Sequence, residues 1–279
     1  MKLEIDISQF NFQKNLLGGQ SFTWIKEDEK FVGITKNKII FLEPTKSGFK
    51  CETYPQDDDT IFIQKYFRLN ENYDQIIENF KHDPFFLQAN QQIPGIRLLN
   101  QEIEVVIFSF ILATAKNVNS IKKCVLNLID KLGEKITIKS KTYRLFPTTE
   151  AIAKVPIEVL LETGAGFRAK YLKSTAQRLL NDNFDFEIES EEKVKQYLLS
   201  LDGIGPKVAD CIMLFGLAYD HRNPIDVWGY RILEKWYKQK NNKKYEDHQT
   251  WFRDYFGEKA GWAGHVLFEY ARENPNLLK

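Results

Sequence analysis

The chain has 279 residues, 43% of them hydrophobic and 28% charged, enough for a sizeable buried core in one large domain or two modest ones. Lysine and arginine nearly balance aspartate and glutamate, 39 against 38, so net charge alone points to no partner. Three distant cysteines and four scattered histidines argue against a disulfide scaffold and a four-cysteine metal site.

No apolar run approaches the ~20 residues of a membrane helix. The nearest, VVIFSFILATA at 105–115, reads as a core helix, and the opening MKLEIDISQF lacks a signal-peptide core. We therefore expect a cytoplasmic protein, nucleoid-associated if bacterial, with no membrane partner.

Between residues 20 and 55, short runs of Phe, Trp, Val, Ile and Thr are broken by the polar turns KEDEK, TKNK and TKSG, the pattern of antiparallel strands joined by hairpins. From about residue 58 the apolar period becomes helical, as in DDTIFIQKYFRL, NYDQIIENF and EIEVVIFSFILATAKN, and it stays helical nearly to the end. The expected fold class is α+β: an N-terminal antiparallel β-sheet domain over 1–92, then an all-helical region over 93–279 that contains a helix-hairpin-helix at 194–219.

Charge is unevenly placed. Residues 116–144 carry eight Lys or Arg against Asp130 and Glu134, residues 168–178 are basic, and so are 231–244, whereas acids gather in NDNFDFEIESEE at 181–192. A neutral protein can still turn a basic face to phosphates; any one such cluster can equally be a solvated helix surface.

The stretch LDGIGPKVADC at 201–211 carries the most chemistry. An amphipathic helix precedes it. Gly203 and Gly205 permit a tight turn, Ile204 between them can plug into the core, and Pro206 suits the first turn of a second helix. Such a hairpin exposes backbone N–H groups at a helix N-terminus, a seat for a phosphate. Lys207 lies at its exit. Asp226 follows 19 residues later, just before another helix that it can cap, and the intervening length lets it return against Lys207.

A helix-hairpin-helix followed by Pro-x-Asp, with a lysine at the hairpin exit, resembles the base-excision DNA glycosylase superfamily in its bifunctional members. GGQSFTW at 18–24, GAGFRAKYL at 164–172, KVADCI at 207–212 and AGWAGHVLF at 260–268 resemble segments of the 8-oxoguanine DNA glycosylases, in the same order. The resemblance implies that Lys207 is the nucleophile that attacks the sugar C1′ and forms a Schiff base, with AP-lyase activity. Asp226 would steady charge on the sugar. Burial and the nearby helix N-terminus would favour the free amine.

It further implies that the carbonyl of Gly19 reads the N7–H of 8-oxoguanine and that Cys211 and Phe268 sandwich the extruded base, with Gly264 beside them. Phe167 would intercalate and Arg168 face the orphaned cytosine. Asn117, Trp228, Gly203 and Gly205 would meet the DNA. The partner would be double-stranded DNA containing a damaged purine, bound by a monomer. No cofactor is implied beyond a structural monovalent cation at the hairpin.

The chain departs from the family pattern among the residues that read bases. Ala115 and Lys116 replace two asparagines, Ser120 replaces an arginine, Trp228 a histidine, and Gly264 a glutamine, with His265 adjacent. A shallower preference for cytosine opposite the lesion is expected. Two other readings fit the residues: a glycosylase for another oxidised or alkylated purine, and a non-catalytic helix-hairpin-helix DNA-binding module.

Overall fold

A computed structural model describes residues 2–4, 7–57, 59–114, 116–239 and 244–278. The N-terminal half is a five-stranded antiparallel sheet built from β1 (Lys2–Glu4), β2 (Trp24–Glu27), β3 (Lys30–Ile34), β4 (Ile39–Thr45) and β5 (Gly48–Tyr54), in the order β1-β5-β4-β3-β2. The short helix α1 (Phe12–Leu17) precedes β2, and α2 (Thr60–Tyr66), α3 (Tyr73–Glu78) and α4 (Pro84–Gln92) follow the sheet. In the β2–β3 hairpin, Glu27 pairs with Lys30, and Asp28 at the turn adopts a φ of +53°.

The helical half contains α5 (Ile103–Ala113), α6 (Val118–Leu132), α7 (Thr149–Lys154), α8 (Ile157–Leu160), α9 (Ala169–Asn181), α10 (Glu191–Ser200), α11 (Pro206–Leu217), α12 (Val227–Lys235), α13 (Tyr245–Phe256) and α14 (Ala260–Glu273). Every residue of α5 from Val105 to Leu112 is buried, as an apolar core helix should be. No helix among the described residues is long and apolar enough to cross a membrane.

One segment differs from the expected all-helical pattern. Strands β6 (Lys135–Ile138) and β7 (Lys141–Arg144) form a hairpin after α6. In KITIKSKTYR, isoleucine and tyrosine alternate with lysine and threonine at a period of two, which the density of lysines hid. The hairpin packs on the sheet through Tyr143 against Phe41, with ring centroids 5.3 Å apart, and through the Lys141–Glu27 ion pair at 2.6 Å.

The sheet is covered on both faces. Phe22, Val32, Ile34 and Ile39 join the large core of the helical half, while Phe10, Trp24, Phe31, Ile40, Leu42, Phe49 and Phe67 form a second core against α1 and α2. Two-sided burial explains why β3 is almost wholly buried instead of alternating.

Polar side chains hold the two halves together. The segment GGQSFTW is pinned by the buried Gln20. Its Nε2 donates to the Arg97 carbonyl at 2.8 Å, its Oε1 accepts from the Leu99 N–H at 2.8 Å, and its carbonyl accepts from Gln101 at 2.8 Å. Arg68, also buried, donates to both oxygens of Asp220 at 2.6 and 2.5 Å and lies 5.2 Å over the Trp262 ring. Lys259 completes the network at 2.5 Å from Asp220 and 3.0 Å from Glu71. Burial pushes the Asp220 carboxyl up, but Arg68 and Lys259 outweigh it and hold its pKa below the ordinary value.

Removing one member of such a pair strands a buried charge. Arg68→Ala should therefore cost about 3–5 kcal/mol of stability, read from denaturant unfolding; a loss below about 1 kcal/mol would show that Asp220 and Lys259 suffice without it.

Candidate active site

The hairpin between α10 and α11 is shaped by its glycines. Gly203 has a φ of +81°, and a Cβ there would stand 2.7 Å from the Tyr171 ring, so neither backbone nor space admits another residue. Ile204 is buried in the core. Gly205 is the N-cap of α11 and is open, with nothing within 4 Å of where a Cβ would lie. Pro206 takes the first helical position. From α9, Ser174 Oγ donates to Asp202 Oδ2 at 2.8 Å and Thr175 Oγ1 to the Asp202 carbonyl at 3.3 Å. The result is a braced turn whose exposed end presents N–H groups without side chains in the way.

Lys207, in the first turn of α11, sends its side chain inward. Its Nζ sits 5.5 Å from the centre of the Phe110 ring on α5. Cys211, one turn later on the same face, hydrogen-bonds to the amine. Asp226 is the N-cap of α12: Oδ1 accepts from the N–H groups of Trp228 at 2.9 Å and Gly229 at 3.1 Å. The cap uses only one carboxylate oxygen and fixes where the other stands. Lys207 and Asp226 line the same cleft, so the structure brings the two together.

The electrostatics correct one expectation. Burial, the largest influence, does pull the pKa of Lys207 down, but Cys211 and Asp226 outweigh it and leave the pKa above the ordinary lysine value. The Cys211 thiol is pushed up to about 11, first by burial, with Lys207 opposing. Near neutral pH the amine is therefore an ammonium ion.

Gly19 forms the opposite wall. Its N–H donates to Glu269 Oε1 at 2.8 Å, and a Cβ on it would lie 2.7 Å from the Phe268 ring. Cys211, Phe268, Gly264 and His265 complete the pocket, as the sequence suggested for the first three. The half-open space they line is about 50 Å³. The Arg272 guanidinium lies 5.3 Å from the Phe268 ring centre. A wider cleft of about 460 Å³ runs from this pocket past Lys207 and Asp226 to the hairpin glycines.

The wedge loop is as expected at its tip and different at its base. Gly164 and Gly166 have φ of +84° and +58°, and Phe167 after them is 55% exposed. Arg168 is buried beneath it, 4.2 Å from the ring centre, with its guanidinium donating to the carbonyls of Thr114 and Ala165. Expected to face the cytosine, it instead rivets the wedge to the end of α5. Lys116 also turns inward, its Nζ 2.7 Å from both Cys124 Sγ and the Gly164 carbonyl. Asn117 is the exposed N-cap of α6, its Oδ1 accepting from the Ser120 N–H at 2.9 Å. Ala115 lies outside the described residues. Trp228 is half-buried, with Arg231 stacked on it at 5.6 Å.

Much of the expected basic face is spent within the chain. Lys131 pairs with Glu162, Lys139 with Glu52 at 3.8 Å and Arg144 with Asp130 at 3.4 Å. Lys173 caps the end of α7 by donating to the Val155 carbonyl at 2.7 Å, and Arg178 pairs with Asp182 at 2.7 Å. Lys240 and Lys243 lie outside the described residues. Among the described residues, no three His, Cys, Asp or Glu side chains gather to hold a metal ion.

Sequence reasoning missed Glu269, Gln20, Phe110 and Asn223. A lone acid within the apolar helix AGWAGHVLFEYA was the available signal for Glu269; nothing local marks the others.

Comparison with known proteins agrees with this geometry. Residues 2–104 match the model of the 8-oxoguanine DNA glycosylase N-terminal domain, and residues 108–256 that of the HhH-GPD superfamily base excision DNA repair proteins. The N-glycosylase/DNA lyase of Saccharomyces cerevisiae is 31% identical, over 96% of this chain and 85% of its own. The structure of MBOgg1 with a low-affinity DNA ligand superposes with a TM-score of 0.90 at 30% identity, covering 96% of this chain and 93% of that one. The Clostridium acetobutylicum 8-oxoguanine glycosylase/lyase, bound to double-stranded DNA with cytosine opposite 8-oxoguanine, gives 0.87 at 29%, with the same coverage. The chain thus belongs to the HhH-GPD superfamily of base excision DNA repair proteins, and within it to the N-glycosylase/DNA lyases that carry the 8-oxoguanine DNA glycosylase N-terminal domain.

Proposed function

We propose that this protein binds duplex DNA as a monomer, extrudes 8-oxoguanine, removes it, and nicks the strand at the resulting abasic site. The observation that carries the reading is an inward-facing amine, Lys207, at the exit of a phosphate-seating hairpin, sharing a cleft with the capped carboxylate of Asp226. A passive DNA binder has no use for that pair. Membership in the family supports an activity on DNA.

The steps follow from the residues. The hairpin N–H groups at Gly205 hold a phosphate, and Phe167 enters the stack where the base has left. The base displaces Phe268 and lies between that ring and Cys211. The carbonyl of Gly19 would accept from N7–H, which guanine lacks. Lys207, once deprotonated, attacks C1′; the bond to the base breaks and the base leaves with the electron pair and a proton. Asp226 stabilises the positive charge that develops on the sugar. The Schiff base then permits elimination of the 3′ phosphate. A monovalent cation at the hairpin carbonyls belongs to the same proposal; it would brace the phosphate seat and take no part in the chemistry.

Lys207→Gln should abolish both base release and borohydride trapping on abasic DNA while DNA binding persists. Because the free amine is the minor form below the raised pKa, wild-type trapping should climb as pH rises from neutral towards that pKa. Base release by Lys207→Gln at a near wild-type rate would exclude this nucleophile.

Affinity should fall steeply with salt. Arg231→Ala should reduce the slope of log K against log salt by about one, whereas Lys141→Ala, whose partner is Glu27, should leave it unchanged. Equal slopes in the two variants would place Arg231 away from the phosphates.

Arg168 is engaged internally and Ser120 is short, so single-turnover excision of 8-oxoguanine should vary little with the opposite base. A preference for cytosine of a hundredfold or more would require another reader of that base, or the release of Arg168 on binding.

A further inference from the structure

The base pocket holds a carboxamide that the reaction has not used. Asn223 lies in the loop between α11 and α12, next to Pro224 and three residues before Asp226. Its backbone is clamped by one side chain: its N–H donates to Gln249 Oε1 at 3.3 Å, and its carbonyl accepts from Gln249 Nε2. The residue is only 5% exposed, yet its side chain lines the pocket with Lys207, Cys211 and Phe268 and makes no hydrogen bond among the described residues. Its polar atoms are free to pair with a molecule that enters the pocket.

Gly264 explains how it fits. A Cβ at 264 would fall on the Asn223 carboxamide, well inside van der Waals contact. Residue 264 can carry no side chain because Asn223 occupies the space. His265, the next residue on α14, is a second unsatisfied group at the same wall: its Nε2 is buried without a partner. Burial lowers its pKa to about 4, so near neutral pH it is an uncharged imidazole and leaves the pocket without added positive charge. Its ring is stacked near Phe268, with centroids 6.3 Å apart.

We infer that Asn223, seated on Gly264 with His265 beside it, determines specificity by reading the Watson–Crick edge of the extruded purine. The inference rests on the proposed excision of 8-oxoguanine. That base presents O6 as an acceptor and N1–H as a donor side by side. A carboxamide matches both, with Nδ2 donating to O6 and Oδ1 accepting from N1–H. The 2-amino group takes no part in this pair, so 8-oxoinosine, which lacks it, offers Asn223 the same edge. A carboxylate at 223 would behave otherwise. It can only accept, and it would pair with N1–H and the 2-amino group, so 8-oxoinosine would lose one bond.

Single-turnover excision of 8-oxoguanine and 8-oxoinosine from duplexes, with borohydride trapping on abasic DNA, separates the cases. Wild type should release the two bases at similar rates. Asn223→Leu should slow release of 8-oxoguanine about tenfold to a hundredfold, the value of a good two-bond base contact. Trapping on abasic DNA, which offers no base to read, reports whether the fold and Lys207 are intact, and should be retained. Asn223→Asp, nearly isosteric, should favour 8-oxoguanine over 8-oxoinosine by about tenfold. Gly264→Ala, which displaces the carboxamide, should reproduce the defect of Asn223→Leu. Wild-type rates in Asn223→Leu, or parallel loss of trapping and excision in all three variants, would overturn the inference while leaving the glycosylase reading intact. A wild-type protein inert on 8-oxoguanine would overturn that reading, and this inference with it.

Discussion

A hydrogen bond from the Gly19 N–H to Glu269 joins the sheet domain to the last long helix, and the base pocket depends on it. Glu269 is 2% exposed, and such a carboxylate is tolerable only with compensating partners. It has three: the Gly19 N–H at 2.8 Å, Lys14 at 3.5 Å and Arg272 at 3.3 Å. Because Gly19 has no side chain, Phe268 can lie directly against its backbone. A pocket wall is thus made from main chain, whose position is set by hydrogen bonds at both ends: Glu269 on one side and the three bonds of Gln20 on the other. A backbone acceptor held this rigidly can distinguish a base that carries one extra N–H from one that does not.

The rest of the site is gathered around the amine of Lys207. Despite its burial, Lys207 keeps a pKa above the ordinary lysine value, with Cys211 and Asp226 opposing the desolvation. Phe268 closes the pocket over it. The cap hydrogen bonds of Asp226 orient its carboxylate within the cleft that it shares with Lys207.

The surface that meets DNA is less basic than a count of lysines suggests. Several cations of residues 116–144 tie the β6–β7 hairpin to its neighbours, and exposed pairs of this kind contribute little stability. Their geometric role is to fix the hairpin on the sheet. Arg168 and Lys116 do comparable work under the wedge, where they satisfy carbonyls at the end of α5 and in the glycine turn. A braced wedge keeps Phe167 exposed in a position to enter a base stack. The cost is that two cations placed by their sequence positions near the DNA are engaged in holding the protein's own backbone.

Local rules made much of this legible. The hairpin glycines, Pro206 and the Asp226 cap each follow from backbone requirements that operate within a few residues, and the sequence therefore determined the helix-hairpin-helix and the α+β order. The β6–β7 hairpin escaped because its short alternation was masked by lysines. Only the tertiary structure decided which way Arg168 and Lys116 turn, that Glu269 holds Gly19, that Lys207 keeps its proton, and that Asn223 fills the space above Gly264. Each of these depends on atoms brought together from distant parts of the chain, where side-chain rotamers, burial and the supply of partners set direction and charge, and no spacing along the sequence encodes them.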